Sequence, residues 1–384
     1  MKQLNFDFYD TFECIGSACP DTCCRGWQIE VDPDAAETYL NTEGAFGKRL
    51  KESITETDGK FYINLKDEQC PLLNEDNLCE IYRHLGPDKM CTTCKIYPRF
   101  SWHHGDILFH GLTLSCPEVA RMILSHHDSI IFEFAETENT VIPAPKENWS
   151  LFNILIGGMI TSVRIMQNRD FSIFTRLRLL VSFNDMLQQA LDAENDEEYR
   201  ILLNAFSDPE QLSILSQEVS ESQTNLVSLF TFVLHFYKNI GSLSVSSYVR
   251  PYIEHLPETM AFCNSLLSQP LAEDFLDDVS IDSYQIHYEQ YAVYYLTRYY
   301  MNAFEKDGTI SKIIANFIYL FCLHRIFTFG LYHEKNELLT IHQLMPIYTG
   351  ISRFLEHNSL NQNLLYEIFS DSDMTDSTFL FSLI

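Results

Sequence analysis

Nine of the eleven cysteines fall between Cys14 and Cys116, and no other feature constrains the fold as tightly. The stretch CIGSACPDTCC, residues 14–24, holds Cys14, Cys19, Cys23 and Cys24, a density that ordinary core packing does not produce. A second run, CPLLNEDNLCEIYRHLGPDKMCTTCKIYPR at 70–99, carries Cys70, Cys79, Cys91 and Cys94, and LSCPE at 114–118 adds Cys116. Cys91 and Cys94 have the two-residue spacing that lets both sulfurs turn to one soft ion. Such thiolates suit zinc or an iron–sulfur cluster better than a hard cation. Proline follows Cys19, Cys70 and Cys116 and sets backbone corners there. Nine thiols exceed the needs of one four-ligand site, so two centres and one centre with spare thiols are both open. Adjacent Cys23 and Cys24 are expected to point apart, with only one serving a given ion. The metal itself has two readings, a staple for a turn-rich segment or a working group.

The remaining two cysteines, Cys263 and Cys322, stand alone in the rest of the chain and read as small buried hydrophobes. The cysteines thus divide the chain. Residues 1–135 form a Cys-rich metal or iron–sulfur module with short elements, among them a strand over 60–65 and a helix over 118–127 entered through Cys116-Pro117. Residues 136–150 are acidic, carry two prolines and read as a linker. Residues 151–384 form an α-helical domain. Apolar residues recur there at three- and four-residue spacing over 151–168, 171–193, 224–240, 288–304 and 310–327. The expected fold class is mainly α, an irregular Cys-rich metal-binding N-terminal module followed by an all-α helical domain. Gly157-Gly158 lies inside a helical run and makes a weak phosphate loop.

The formal net charge is −27, with −10 over residues 1–135 and −17 over the rest. An acidic surface of this kind repels phosphate backbones, which excludes nucleic acid as a partner and suits a protein that presents lysines. The start MKQLNFDFYDTF lacks an apolar secretory core. The most apolar run, 313–332, is interrupted by His324 and Arg325 and reads as a buried helix, so no membrane span is expected. The expected location is the cytoplasm, where cysteines do thiolate chemistry rather than form disulfides.

Six of the thirteen histidines (His84, His103, His104, His110, His126 and His127) lie near the cysteines and read mainly as structural, with ligation or base catalysis as the sharper alternative. Trp27 and Trp102 flank the cysteine runs and read as core, or as an apolar wall over a metal. In the helical part, Tyr291, Tyr294, Tyr295 and Tyr299 share one helix face. They are either core with hydroxyls at the rim, or an aromatic lining for a cationic lysine or sulfonium. Glu289 and Arg298 on or near that face are candidates to orient an amine or a carboxylate.

The stretches CIGSACPDTCCRGWQIEVD, CPLLNEDNLCEIYRHLG, CTTCKIYPRF and LTLSCPE resemble the flagellin lysine N-methylase family over roughly residues 12–121. The same half is similar to a wider family of zinc- or iron-chelating Cys-cluster proteins. In the helical part the likeness rests on EQYAVYYLTRYY at 289–300. The resemblance implies S-adenosylmethionine-dependent methylation of lysine ε-amines on flagellin. It also implies an iron–sulfur cluster of the [4Fe–4S] type, with zinc as the alternative, held by a subset of Cys14, Cys19, Cys23, Cys24, Cys70, Cys79, Cys91, Cys94 and Cys116. Cys19-x3-Cys23 is followed three residues on by Gly26, so the CxxxCxxC signature of radical S-adenosylmethionine enzymes is absent. No standard methyltransferase cofactor loop is visible. The competing reading is a non-catalytic zinc- or iron-binding redox or interaction module.

Overall fold

Short apolar segments flank the cysteine runs, and they form strands. A computed structural model describes residues 2–25, 29–67, 69–104, 107–136, 149–220, 224–239, 279–304, 309–356, 359–370 and 374–384; the element labels run over these alone. Cys263, Trp27 and nearly all of the expected linker lie outside the described residues. Strand β1 (Lys2–Phe6) pairs parallel with a strand from residues 107–112, Lys2 opposite Ile107. A parallel pair needs a long crossover, and the excursion between them carries eight of the nine clustered cysteines.

That excursion builds a small unit. It contains β2 (Ile29–Val31), α1 (Pro33–Asn41), α2 (Gly44–Ser53), β3 (Ile54–Thr57), β4 (Lys60–Ile63), α3 (Glu80–Leu85) and α4 (Thr92–Ile96). The strands form an antiparallel sheet in the order β2-β4-β3. Asp58 and Gly59 both take positive φ, 53° and 76°, as a two-residue hairpin turn between β3 and β4 requires. Asp32 caps α1 by accepting the Ala35 N–H at 3.1 Å. Its other oxygen accepts the Thr92 N–H at 2.6 Å, so one carboxylate fixes both α1 and the turn at Cys91. Ile29, Val31, Ala36, Tyr39, Leu50, Ile63, Leu72 and Ile81 bury a core of their own together with Cys70 and Cys91.

The chain returns through β5 (Arg99–His104) and β6 (Ile107–Leu112), enters α5 (Pro117–Ser125), and closes the larger sheet with β7 (Phe132–Glu136) in the order β5-β6-β1-β7. Then come α6 (Trp149–Gln167), α7 (Ile173–Asp192), α8 (Asp196–Ser207), α9 (Pro209–Ser220), α10 (Leu226–Asn239), α11 (Val279–Tyr299), α12 (Ile310–Lys335), α13 (Ile341–Ile351), α14 (Ser359–Ser370) and α15 (Ser377–Leu383). Between α13 and α14 lies a π-helical turn, Ser352–Glu356. The chain is therefore mainly α, with an irregular Cys-rich N-terminal region and a helical C-terminal region.

Helix α12 starts at Thr309, whose side chain caps the Lys312 N–H at 3.2 Å, and stops at Asn336 in the left-handed region. It is apolar on every side because the other helices surround it. It and the stretch Ser150–Gln167 are long and apolar enough to cross a membrane, yet 89% of the α12 window is buried within the protein. Gly157 and Gly158 serve helix packing. A Cβ on Gly158 would meet the Tyr300 hydroxyl at 2.5 Å and Leu187 at 2.7 Å. One continuous buried cluster joins Leu4, Phe6, Phe109, Leu114, Val119 and Ile123 to the helices as far as Ile384. The larger sheet and α5 thus share the core of the helices, while the small unit keeps its own.

Candidate metal centre and its seam with the helices

Cys79, Cys91 and Cys116 each occupy the residue just before a helix, at the starts of α3, α4 and α5. The backbone turns sharply at such positions and directs N–H groups at the preceding side chain. The nearby amides of Tyr82 and Ile81 act to lower the Cys79 thiol, that of Cys94 the Cys91 thiol, and those of Val119 and Glu118 the Cys116 thiol. Away from helices Asp21 acts likewise on Cys19 and Leu72 on Cys70. Burial pushes the Cys116 thiol up to about 11, and the amides of Val119 and Glu118 pull it the other way. Burial likewise raises Cys19 and Cys79 against their amides. Sulfurs that are taken from water yet supplied with N–H donors favour the thiolate when a cation is bound to them.

The thiols also find one another. Cys24 lies within hydrogen-bonding reach of Cys23 and of Cys70, and these contacts hold it low while its two partners are raised. Cys91 and Cys94 form a similar pair, with Cys91 lowered by Cys94 and Cys94 raised. Cys23 and Cys24 thus lie within hydrogen-bonding reach of each other, and Cys70 within reach of Cys24. Among the described residues no three Cys, His, Asp or Glu side chains already surround one point closely enough to hold an ion. The donor chemistry, clustered thiols in partly buried surroundings, fits zinc or an iron–sulfur group.

The histidines have other partners. His84 approaches Glu80 at 3.3 Å and stacks on Phe46. His110 meets Ser101 at 2.5 Å and stacks on Tyr9, and burial lowers its pKa. His126 lies 3.7 Å from Asp7. Trp102 donates to the Thr297 carbonyl at 3.1 Å and stacks on Phe109, so it is core. Cys322 is fully buried, and burial pushes its thiol up to about 12.

The tyrosine face meets the cysteine region. Tyr291, Tyr294 and Tyr295 are at most 2% exposed and Tyr299 is 7% exposed, and two of their hydroxyls converge on one carboxylate that the sequence did not single out. Tyr291 donates to Glu356 at 2.8 Å, Tyr294 at 3.2 Å, and Ser352 adds a third bond at 2.9 Å. Tyr299 donates to the Glu356 carbonyl at 3.3 Å and accepts from Arg298 at 2.8 Å. Burial raises the Glu356 carboxyl, with the tyrosines, Ser352 and Arg298 working against it. Tyr294 also accepts the Leu114 N–H at 3.2 Å, two residues before Cys116. Arg353, in the same π-helical turn as Glu356, donates to the Ser115 carbonyl at 2.8 Å and to Asp21 at 2.6 Å. Asp21 sits between Cys19 and Cys23, so this arginine clamps both cysteine loops to the helices. Glu289 does not join the face: Arg169 at 2.9 Å and Arg176 at 2.8 Å hold it in a buried ion pair.

Comparison with known proteins agrees with both halves of this description. Residues 13–117 match a family model described as "Putative zinc- or iron-chelating domain", and residues 160–383 match the FliB lysine N-methylase C-terminal domain. Two proteins named lysine-N-methylase, from Salmonella typhimurium and Salmonella choleraesuis, are each 24% identical over 261 residues, covering 63% of this chain and 64% of their own length. The chain thus matches somewhat less than two thirds of those relatives. The flagellar biosynthetic protein FliU of Salmonella muenchen is 31% identical over 130 residues, 32% of this chain and 77% of that protein. No solved structure matches. With a family model spanning most of the helical region and a chelating domain spanning the cysteines, the chain belongs to the FliB lysine N-methylase family.

Proposed function

We propose that this protein transfers methyl groups from S-adenosylmethionine to lysine ε-amines of flagellin in the cytoplasm, at the seam between the Cys116 loop and helix α11. The observation that carries the placement is the contact across that seam, Leu114 to Tyr294 and Arg353 to both Ser115 and Asp21. The lysine, with an ordinary pKa of about 10.4, must first lose a proton. Its nitrogen lone pair then forms the N–C bond in line with the breaking C–S bond, and the positive charge passes from sulfur to nitrogen. Cys14, Cys19, Cys23 and Cys116 would hold a [4Fe–4S] group on this seam, where it would order the loops that border the cofactor site. Tyr291, Tyr294, Tyr295 and Tyr299 lie buried behind the seam, and with Glu356 they brace it and favour sulfonium and ammonium charge on its outer side. The net charge of −27 favours encounter with a lysine-bearing protein.

The test is incubation of oxygen-free, metal-loaded protein with S-adenosylmethionine and flagellin, followed by mass spectrometry for methyl increments on lysines. Lysine methylation is expected. Its absence with full metal content would leave the non-catalytic zinc- or iron-binding redox or interaction module as the better reading. Tyr294→Phe removes a single hydroxyl bonded to Glu356 and Leu114. Loss of about 1.4 kcal/mol of positioning would slow transfer about tenfold, with metal content unchanged.

A further inference from the structure

We propose that the clustered cysteines build two separate thiophilic metal centres: a seam centre from Cys14, Cys19, Cys23 and Cys116, and an inner centre from Cys70, Cys79, Cys91 and Cys94 with Cys24 at its edge. The two buried cores carry this division. Cys70 and Cys91 belong to the core of the small unit, and Cys24, Cys79 and Cys94 pack against it. Cys116 belongs to the other core, the one shared by the larger sheet and the helices. Backbone contacts follow the same line. The Cys70 N–H donates to the Cys24 carbonyl at 2.8 Å, and Asp32 ties α1 to the turn at Cys91. Arg353 instead ties the Cys19–Cys23 loop, through Asp21, to the Cys116 loop, through Ser115.

Sulfur neighbours agree. Cys14 and Cys116 lie within electrostatic range of Cys23, and Cys14 and Cys19 within that of Cys116. Cys79 neighbours Cys24 and Cys91, while Cys94 neighbours Cys91, Cys24 and Cys79. Among the described residues the two sets meet at the Cys23–Cys24 pair. Each has the four thiolates that a tetrahedral zinc or a cubane cluster takes.

The two differ in exposure. Cys14 and Cys23 are exposed and Cys19 is half-buried, with Cys116 buried at the border with the helices, whereas Cys70 and Cys91 are buried and Cys79 and Cys94 are half-buried. The inner centre therefore staples a unit too small to hold itself together on apolar burial, and the seam centre is the one a solute can reach. This inference concerns metal binding and stands whether or not the chain methylates flagellin.

The full chain, purified without oxygen, should contain metal for two centres, read as iron, acid-labile sulfide and zinc per chain. The double variant Cys14→Ser/Cys116→Ser should keep one centre, with the thermal midpoint of the small unit little changed. Cys91→Ser/Cys94→Ser should keep the other or fail to fold. Because Cys116 is buried, the single variant Cys14→Ser, at an exposed position, decides the matter by loss of the seam metal alone if a double variant is insoluble. Metal for a single centre in the unaltered protein would overturn the proposal. So would complete metal loss, or no loss, in Cys14→Ser/Cys116→Ser. A chelator applied to the folded protein should strip the seam centre at least tenfold faster than the inner one, and equal rates would contradict the assigned exposure.

Discussion

His324 lies between Tyr291 at 4.3 Å and Tyr348 at 4.2 Å, fully buried, and among the described residues neither ring nitrogen has a hydrogen-bond partner. Burial alone pushes its pKa down to about 3. The folded protein therefore binds this proton less readily than the unfolded chain, whose imidazole titrates near 6.5. The stabilisation is complete above about pH 6.5 and drains as the pH falls toward 3, by about 2 kcal/mol at pH 5. His324→Phe should remove that part of the acid sensitivity. Thermal midpoints of the two proteins would then converge between pH 7.5 and 5, and parallel curves would count against it. Glu356 acts in the opposite sense, since its folded pKa is raised. Its contribution is present below about pH 4.3 and is lost as the pH rises through the folded value, and Glu356→Gln should abolish that slope. The cysteines and the tyrosine face were legible because spacing exposes them. Glu356 was not, because its partners Tyr291 and Tyr294 stand 65 and 62 residues away and no local pattern marks it.

Helices α6, α7, α10 and α12 lie where the apolar spacing puts them, and α11 begins earlier than expected, at Val279. A short strand was expected over 60–65 and appears at Lys60–Ile63. The larger sheet was hidden because its central pairing joins Lys2 to Ile107, a register that no local window can sense. The glycine pair of α6 shows how an element is placed. A Cβ on Gly158 would strike Tyr300 and Leu187, both in the packed interior, whereas on Gly157 it would meet the end of the half-buried Tyr199 at 2.8 Å. Gly158→Ala should cost about 1–3 kcal/mol by overpacking. Gly157→Ala gains up to about 1 kcal/mol of helix propensity to offset a softer contact. Denaturant midpoints should therefore fall in the first variant and stay near the parent in the second. The reverse order would mean that α6 packs on neighbours other than Tyr300 and Leu187.

At the scale of the molecule, the cysteine-rich region is not one body beside the helices. Helix α5 packs on α11 and α13, and Leu112, Leu114, Val119 and Ile123 belong to the helical core. Ending the chain at residue 140 would bare that surface. Such a fragment should bind hydrophobic dyes, aggregate and be cut rapidly by protease within residues 99–136, while residues 29–96 stay protected when metal is present. A dispersed fragment resistant throughout would show that the sheet and α5 need no helices.

The arginine clamp also has a temporal meaning. Asp21 and Arg353 meet across 332 residues of sequence. On a growing polypeptide, every thiol of the inner set has been made once Cys94 has been added, long before Arg353. The inner ion can be captured by a nascent chain, but the outer thiols gain their final arrangement only after nearly the whole protein has emerged. Metal at the seam would then act as a certificate of complete synthesis. Ribosome-bound chains stalled before Arg353 should carry metal for one centre, and released chains metal for two.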